Sequence, residues 1–238
     1  MDFLSLLAIA FAPGIAIGVF IYLKDHHERE PLYLLLLCFL YGCLSTAVTL
    51  LITMPVNLLL ATRADDIMSQ FISAFFKVAL IEEFSKFVFL RFILYRNEHF
   101  NEPFDGIVYA VMVGMGFATL ENVVYVFELG FMTGLLRMFS AVPAHAVFAI
   151  MMGYFLGLAK FSHRHVLRYS LLALLIPTLF HGAYDYFLFI AEINGVYAGV
   201  WIGSAIALVT GVILSRRAIA LHQDASPFRQ RNESDSSG

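Results

Sequence analysis

Apolar residues fill most of this chain in long runs, and short polar stretches separate the runs. A run of about 20 apolar residues can cross a bilayer as a single helix. The chain contains seven such runs, at Phe3–Leu23, Leu32–Leu60, Phe71–Ile93, Ile107–Leu129, Phe139–Leu158, Leu167–Ile190 and Val196–Leu214. The pattern therefore predicts an all-α fold, a polytopic membrane helical bundle with about seven transmembrane helices.

The second run is longer than one crossing requires, and we expect Pro55 and Asn57 to break it before Arg63. Composition agrees with a membrane protein, because 60% of the residues are hydrophobic and 14% are charged, against about 25% charged residues in soluble proteins. The net charge of −3 and the scattered basic residues exclude a nucleic-acid-binding surface. Cys38 and Cys43 lie in one span, which argues against a disulfide framework.

The distribution of basic residues predicts the orientation. Lysine and arginine are concentrated in the first, third and fifth loops and in the C-terminal tail, whereas the opposite side has only Arg63 and Arg137. Because basic loops stay in the cytoplasm, we expect an extracytoplasmic N-terminus and a cytoplasmic C-terminus. Residues 1–218 are predicted to form one transmembrane domain, followed by a polar, disordered cytoplasmic tail over residues 219–238.

Three charged residues interrupt the third span near its centre: Glu82, Glu83 and Lys86. A charge at this depth costs roughly 2.5–3.5 kcal/mol, so function is the default explanation. On a helix Glu82 and Lys86 share a face, while Glu83 lies about 100° away. Lys86 can therefore hold one carboxylate ionised and leave the other free for acid–base chemistry. The alternative is a salt bridge that only fixes helix packing.

Four further ionisable residues lie inside predicted spans: Glu121, His145, His181 and Asp185. His181 and Asp185 are four positions apart, so the carboxylate can accept from one imidazole nitrogen and leave the other for a substrate or a metal. The alternative is a buried His–Asp bond that specifies packing. With the predicted orientation these residues lie at or outward of mid-membrane, where we expect them to converge with Glu82.

These residues form an ordered set of motifs. They are EExxK at Glu82-Glu83-Phe84-Ser85-Lys86, FxxxE at Phe117-Ala118-Thr119-Leu120-Glu121, His145 opening a helix, and HxxxD at His181-Gly182-Ala183-Tyr184-Asp185. The set resembles the PrsW family of intramembrane proteases. This family is related to the CAAX-processing and bacteriocin-immunity membrane proteases, whose motifs are EExxxR, FxxxH and HxxxN. The lysine at Lys86 and the glutamate at Glu121 are typical of PrsW proteins and argue against prenyl-protein processing.

The resemblance covers about Phe71–Phe187 and implies a four-helix catalytic core at about residues 71–190. It implies a multi-pass protein of a bacterial or archaeal plasma membrane that makes the site-1 cleavage in an anti-sigma factor, as in a stress response, or in a similar single-span substrate. The lipid bilayer and this substrate are the expected partners, and no nucleic acid is expected.

The hypothesis assigns a role to each residue. Glu82 or Glu83 activates a water molecule as general base, and Lys86 supports these two glutamates. His145 and His181, the latter oriented by Asp185, stabilise the oxyanion or hold a metal. Glu121 orients the water or adds a ligand. Glu121, His145 and His181 are the candidate zinc ligands. No HExxH motif occurs to decide whether a metal is bound. We expect that no cofactor is required, because zinc ligands usually have short local spacing and the two histidines are 36 residues apart; zinc is the alternative.

Buried glutamate, histidine, aspartate and lysine also form proton relays. The second hypothesis is therefore a proton- or ion-coupled transporter or channel that uses the same residues. We found no inverted repeat of the kind that many transporters carry, which disfavours this alternative. For the protease, we expect substrate access from the extracytoplasmic side.

Overall fold

The computed structural model describes residues 3–162, 164–193 and 198–229, and the regular structure of these residues is helical. The helices are α1 (Phe3–Lys24), α2 (Leu32–Leu59), α3 (Ile67–Ile72), a π-helical segment (Ser73–Ala79), α4 (Leu80–Phe92), a 3-10 turn (Leu94–Arg96), α5 (Pro103–Leu129), α6 (Phe131–Phe139), α7 (Ala141–Phe161), α8 (Val166–Ala191), a second 3-10 turn (Ala198–Trp201) and α9 (Ile202–Asp224). The predicted all-α bundle is confirmed.

Within the described ranges, six helices are long and apolar enough to cross a membrane. They are α1, α2, α5, the α6–α7 pair, α8, and α9 with its preceding turn. The third predicted span is the uninterrupted run of α3, the π-helical segment and α4. It carries the charged EExxK motif, which lowers its hydropathy.

Several predicted boundaries differ from the structure, and α6 (Phe131–Phe139) lies in a segment predicted as a loop. Helix α2 does not break at Pro55, which lies inside it, and the helix continues to Leu59. A membrane-spanning helix tolerates a proline where neighbouring groups satisfy the freed carbonyl. Helix α9 continues to Asp224, beyond the predicted start of the tail at residue 219. Residues 230–238 lie outside the described part of the chain, and the disordered tail stays a prediction.

Helix α5 lies at the centre of the bundle and packs against α7, α2 and α1. Its contact with α2 brings backbone against backbone, because Gly116 faces the carbonyl of Phe39 and Gly42 faces that of Val113. Such close approach between membrane helices requires small residues. The outer helices instead expose large apolar side chains, including Leu36, Leu51 and Ile206, as expected for a surface covered by lipid.

Candidate active site

A cavity of about 380 Å³ lies between the C-terminal half of α5 and helices α4, α7 and α8. Five of the predicted site residues line it: Glu82, Glu121, His145, His181 and Asp185. Glu83 and Lys86 lie behind this lining and are almost completely buried. The structure thus brings all seven predicted residues together, although they come from four separate helices.

Glu83 is the centre of the hydrogen-bond network. Its Oε1 accepts from Lys86 Nζ at 2.7 Å and lies 2.8 Å from His181 Nδ1. Glu82 Oε2 is 3.9 Å from the same ammonium group. The predicted proximity of Lys86 and Glu82 is therefore present, but Glu83 is the closer partner. Neighbours three and four positions back are both within reach on a helix, and here the ammonium group lies close to Glu83.

His181 has a carboxylate at each ring nitrogen. Nδ1 faces Glu83, and Nε2 lies 3.2 Å from Asp185 Oδ2 and 3.9 Å from Glu82 Oε2. The sequence predicted the His181–Asp185 contact correctly, but the expectation that the other nitrogen points to substrate was wrong. Glu83 holds that nitrogen. The other nitrogen, Nε2, faces the carboxylates of Asp185 and Glu82, which line the cavity.

His145 and Glu121 form a second pair on the opposite wall. His145 Nε2 lies 2.9 Å from Glu121 Oε2, and its Nδ1 lies 3.3 Å from Lys86 Nζ. The two imidazole rings are 5.3 Å apart, centroid to centroid, and nearly perpendicular. Lys86 thereby connects the Glu83–His181 pair to the His145–Glu121 pair.

Arg137 on α6 is a site residue that the sequence analysis missed. One terminal nitrogen lies 2.8 Å from Glu121 Oε2, and its Nε donates to Asn122 Oδ1 at 3.0 Å. The guanidinium group also stacks over Tyr125 at 4.0 Å. Arg137 entered the sequence analysis only as one of two basic residues on the predicted outer side. The available signal was an arginine on a side with few basic residues, just before the span that contains His145.

Aromatic rings fix the orientation of the charged groups. Phe148 stacks on His181 with a centroid distance of 4.8 Å and an interplanar angle of 15°. Lys86 Nζ lies 4.2 Å from the centroid of Phe117, where a cation–π interaction favours the charge. These rings come from α7 and α5, so packing of the central helices positions the polar cluster.

Comparison with known proteins identifies the arrangement. The family model described as "PrsW family intramembrane metalloprotease" matches residues 30–214. The chain belongs to the PrsW family. It is 37% identical to Protease PrsW of Geobacillus kaustophilus over 199 residues, which cover 83% of this chain and 85% of the relative.

Other PrsW proteases show comparable similarity. Identity is 40% over 195 residues with Protease PrsW of Clostridioides difficile, covering 79% of this chain and 80% of the relative. It is 34% over 187 residues with Protease PrsW of Bacillus subtilis, covering 77% and 83%. No solved structure is significantly similar to this chain. PrsW membership favours the protease hypothesis over the transporter.

The family description raises the question of a metal, and the PrsW residues in the cavity fit one. One ligand atom each from Glu82, His145 and His181 lies within 4.8 Å of the other two. Glu82 Oε2 is buried without a hydrogen-bond partner, and a carboxylate at the second nitrogen of His181 is typical of metal-binding histidine. Two members of this set were predicted; Glu121, the third predicted ligand, contacts His145 and Arg137 instead.

Proposed function

We propose that the protein is an intramembrane endopeptidase in which Glu82 is the general base. The observation that supports this choice is the buried Oε2 of Glu82, which lines the cavity and lacks a hydrogen-bond partner. A general base needs a free lone pair within reach of a water molecule. Glu83 is occupied by Lys86 and His181, so it serves as a positioning residue.

The proposed reaction uses the chain's own residues. Glu82 removes a proton from water while the water oxygen attacks the carbonyl carbon of the substrate peptide bond. His181, held by Glu83 and Asp185, and His145 stabilise the charge on the resulting oxyanion. The carbonyl then reforms, the C–N bond breaks, and the proton on Glu82 passes to the leaving amine.

Zinc is compatible with the same cavity. Glu82, His145 and His181 would hold it, and a bound zinc ion would polarise the carbonyl and activate water. In that case Glu82 would be a ligand, and Glu121, which lines the same cavity, would orient the water. A metal-independent reaction stays our prediction, and metal analysis separates the two.

Site-directed variants test the assignment of the base. In a cleavage assay with the purified protein and a single-span membrane peptide, we expect Glu82→Gln and His181→Ala to abolish product formation. Glu83→Gln should reduce cleavage strongly because His181 loses its partner. Glu128→Gln, an exposed glutamate on α5, is the matched control and should cleave normally. Normal cleavage by Glu82→Gln, Glu83→Gln and His181→Ala alike would refute the site.

Metal content decides the role of zinc. We expect active protein to lack stoichiometric metal and to retain activity after chelation. Stoichiometric zinc, with activity that is lost on removal and restored on return, would overturn the metal-independent mechanism. The Glu82→Gln and His145→Ala variants would then lose the zinc as well, whereas Glu128→Gln would keep it.

We also propose that the substrate is a single-span membrane protein, such as an anti-sigma factor, and that it enters from the extracytoplasmic side. Arg137 and Ser140, at the end of α6, line the cavity beside Glu121, and the charge pattern assigns α6 to the outer side. A cysteine at Met132, an exposed position on α6, should react with a membrane-impermeant thiol reagent added outside intact cells. Labelling only after cell lysis would reverse the proposed side.

A further inference from the structure

A second polar cluster lies at the opposite end of α5 from Glu121. It contains four buried carboxylates: Asp25 (0% exposed), Glu30 (3%), Glu102 (1%) and Asp105 (0%). Asp25 and Glu30 come from the α1–α2 loop, and the other two come from the N-terminus of α5. Burying an ionised carboxylate costs several kcal/mol unless a counter-charge compensates it. This cluster plays no part in the proposed cleavage reaction.

Each of two carboxylates uses one oxygen to hold the backbone. Asp25 Oδ2 accepts from the amide of Glu30 at 3.3 Å. Asp105 Oδ2 accepts from the amides of Asn101 at 2.9 Å and Glu102 at 2.8 Å. Their other oxygens, and Oε2 of Glu30, are buried without a hydrogen-bond partner. Three carboxylates from two segments of the chain therefore each have a buried, unpaired oxygen.

Tyr109 supplies an independent observation. It lies one helical turn after Asp105, its side chain is completely buried, and its hydroxyl group has no hydrogen-bond partner of ordinary geometry. The hydroxyl faces the carboxylates of Glu30 and Asp105. The hydroxyl interacts with the carboxylate of Glu30 without a hydrogen bond of ordinary geometry, and an unsatisfied buried phenol is costly.

The basic side chains around the cluster bond to other groups, as Arg29 Nε does to the backbone carbonyl of Asp25 at 3.4 Å. Lys160 lies on the Asp105 side of the cluster, but its ammonium group donates to the carbonyls of Tyr95 at 2.8 Å and Asn97 at 3.1 Å. The ring of His99 attracts Glu30, and its Nε2 lies 3.1 Å from the hydroxyl of Tyr33. These groups offset only part of the negative charge.

The pKa values of the loop carboxyls reflect this imbalance. Burial, together with the charge of Glu102, raises the pKa of Asp25 to about 7. Burial likewise raises the pKa of Glu30 to about 7, and the neighbouring Glu28 adds to the effect. Burial also raises the pKa of Glu102, and the hydrogen bond from Ser226 acts in the opposite direction. A bound cation would compensate the remaining charge.

We propose that Asp25, Glu30 and Asp105 bind a hydrated Mg²⁺ ion, with the hydroxyl of Tyr109 facing its water shell. All available donors are oxygen atoms, which hard divalent cations prefer over nitrogen or sulfur ligands. The carboxylates are spread more widely than the compact group of Glu82, His145 and His181. Mg²⁺ suits this spacing because it keeps several waters and needs only one or two direct carboxylate ligands.

The site joins the α1–α2 loop to the start of α5. The carboxylate of Glu102 also accepts from the hydroxyl of Ser226, which follows α9. An ion at this position would therefore fasten three segments that are distant in sequence, and its binding free energy would add to the stability of the fold.

Thermal unfolding of the full-length protein in detergent tests the proposal. Protein freed of divalent ions should gain several degrees in Tm on addition of millimolar Mg²⁺. Asp25→Asn and Glu30→Gln should lose this gain. Glu98→Gln, an exposed carboxylate on the same side of the bundle, should keep it. The Glu82→Gln background excludes a contribution from the active site.

Direct binding keeps the test valid if a variant fails to fold. Mn²⁺, a paramagnetic substitute for Mg²⁺, should bind one site per chain in the Glu82→Gln protein, and Mg²⁺ should displace it. Absence of both the Tm gain and the Mn²⁺ site would overturn the proposal, as would a Tm gain on Mg²⁺ addition that Asp25→Asn and Glu30→Gln keep in full. A response to Ca²⁺ alone would overturn the assignment to Mg²⁺.

Discussion

The two buried polar clusters lie near opposite ends of α5, where Asp105 and Glu121 are about 24 Å apart along the helix. They differ in how their charges are balanced. Around Glu121 and Glu83, protein cations accompany the carboxylates, because Arg137 and Lys86 make close ion pairs with them. Around Asp105, the carboxylates lie mainly beside other carboxylates. In the first cluster two of the carboxylates have a protein cation beside them, and one acceptor on Glu82 has no hydrogen-bond partner. In the second, the proposed Mg²⁺ ion would supply the positive charge.

Removing the cation from the proposed catalytic cluster, the group around Glu83 and Glu121, should have the largest effect. Lys86→Met leaves Glu83 buried without its lysine and with only the ring of His181 beside it. We expect a loss of roughly 3–5 kcal/mol in unfolding free energy, together with loss of cleavage. Denaturant unfolding in detergent and the cleavage assay measure the two effects. Lys77→Met, a partly exposed lysine on the same helical run, is the control.

A second substitution sharpens this prediction. Lys86→Met combined with Glu83→Gln should recover much of the stability, because no unpaired charge remains, but it should not recover cleavage. Recovery of both properties would mean that the ion pair serves packing alone. No stability loss in Lys86→Met would mean that Glu83 has another counter-charge.

Removing the ion pair between Arg137 and Glu121, at the edge of the same cluster, should have a smaller effect on cleavage and stability. Arg137→Gln removes the ion pair with Glu121, and the resulting displacement of Glu121 and His145 should lower kcat/KM by roughly 10- to 100-fold. Most of the loss should appear in kcat, with Tm nearly unchanged. Arg63→Gln, at an exposed arginine paired with Asp65, should have wild-type kinetics. Equal losses in both variants would remove Arg137 from the site.

The helix between the clusters can be disturbed without changing either one. Gly116→Ala would place a methyl group against the backbone of α2 at Phe39, and overpacking of this kind costs about 1–3 kcal/mol. At Gly18, where α1 meets α5, an added methyl group meets the flexible side chain of Met112, with its sulfur at 3.2 Å. Gly18→Ala should therefore be nearly neutral. Similar unfolding curves for the two variants would contradict the backbone contact.

The smallest effect is expected in the second cluster. Tyr109→Phe removes a hydroxyl group without a partner of ordinary geometry, so the unfolding free energy of Mg²⁺-free protein should change by less than about 1 kcal/mol. Tyr41→Phe, a tyrosine stacked on Phe89, provides the comparison. A loss as large as that in Lys86→Met would show that the hydroxyl is a main support of the carboxylates.

Regular patterns in the sequence predicted most of the bundle and one of the two clusters. Apolar runs marked the spans, because each crossing must bury its backbone groups in a helix. Charged residues inside those runs marked the catalytic cluster, because their cost leaves few explanations besides function. The His181–Asp185 contact followed from four-residue spacing alone.

The remaining features depend on tertiary packing. Spacing could not decide whether Lys86 contacts Glu82 or Glu83, because both are within reach. Arg137 and the carboxylates of Asp25 and Glu30 lie between predicted spans, where a charged residue is normally solvated. Only the arrangement of α5 and α6 against the loops shows that these side chains are buried or partly buried beside the clusters.

The π-helical segment before α4 has a consequence for the length of this part of the chain. Phe75 contacts Gly182 and Glu83 contacts His181, so both side chains face α8. In a regular α-helix, residues eight positions apart point about 80° away from each other. The wider π turns contain more residues each and rotate the chain less per residue, which removes most of that angle. The extra residue of the π-helical segment thus determines which side chains of this helical run face α8. A single deletion within Ser73–Ala79 would turn Phe75 away from α8, although every side chain of the proposed catalytic cluster would still be present.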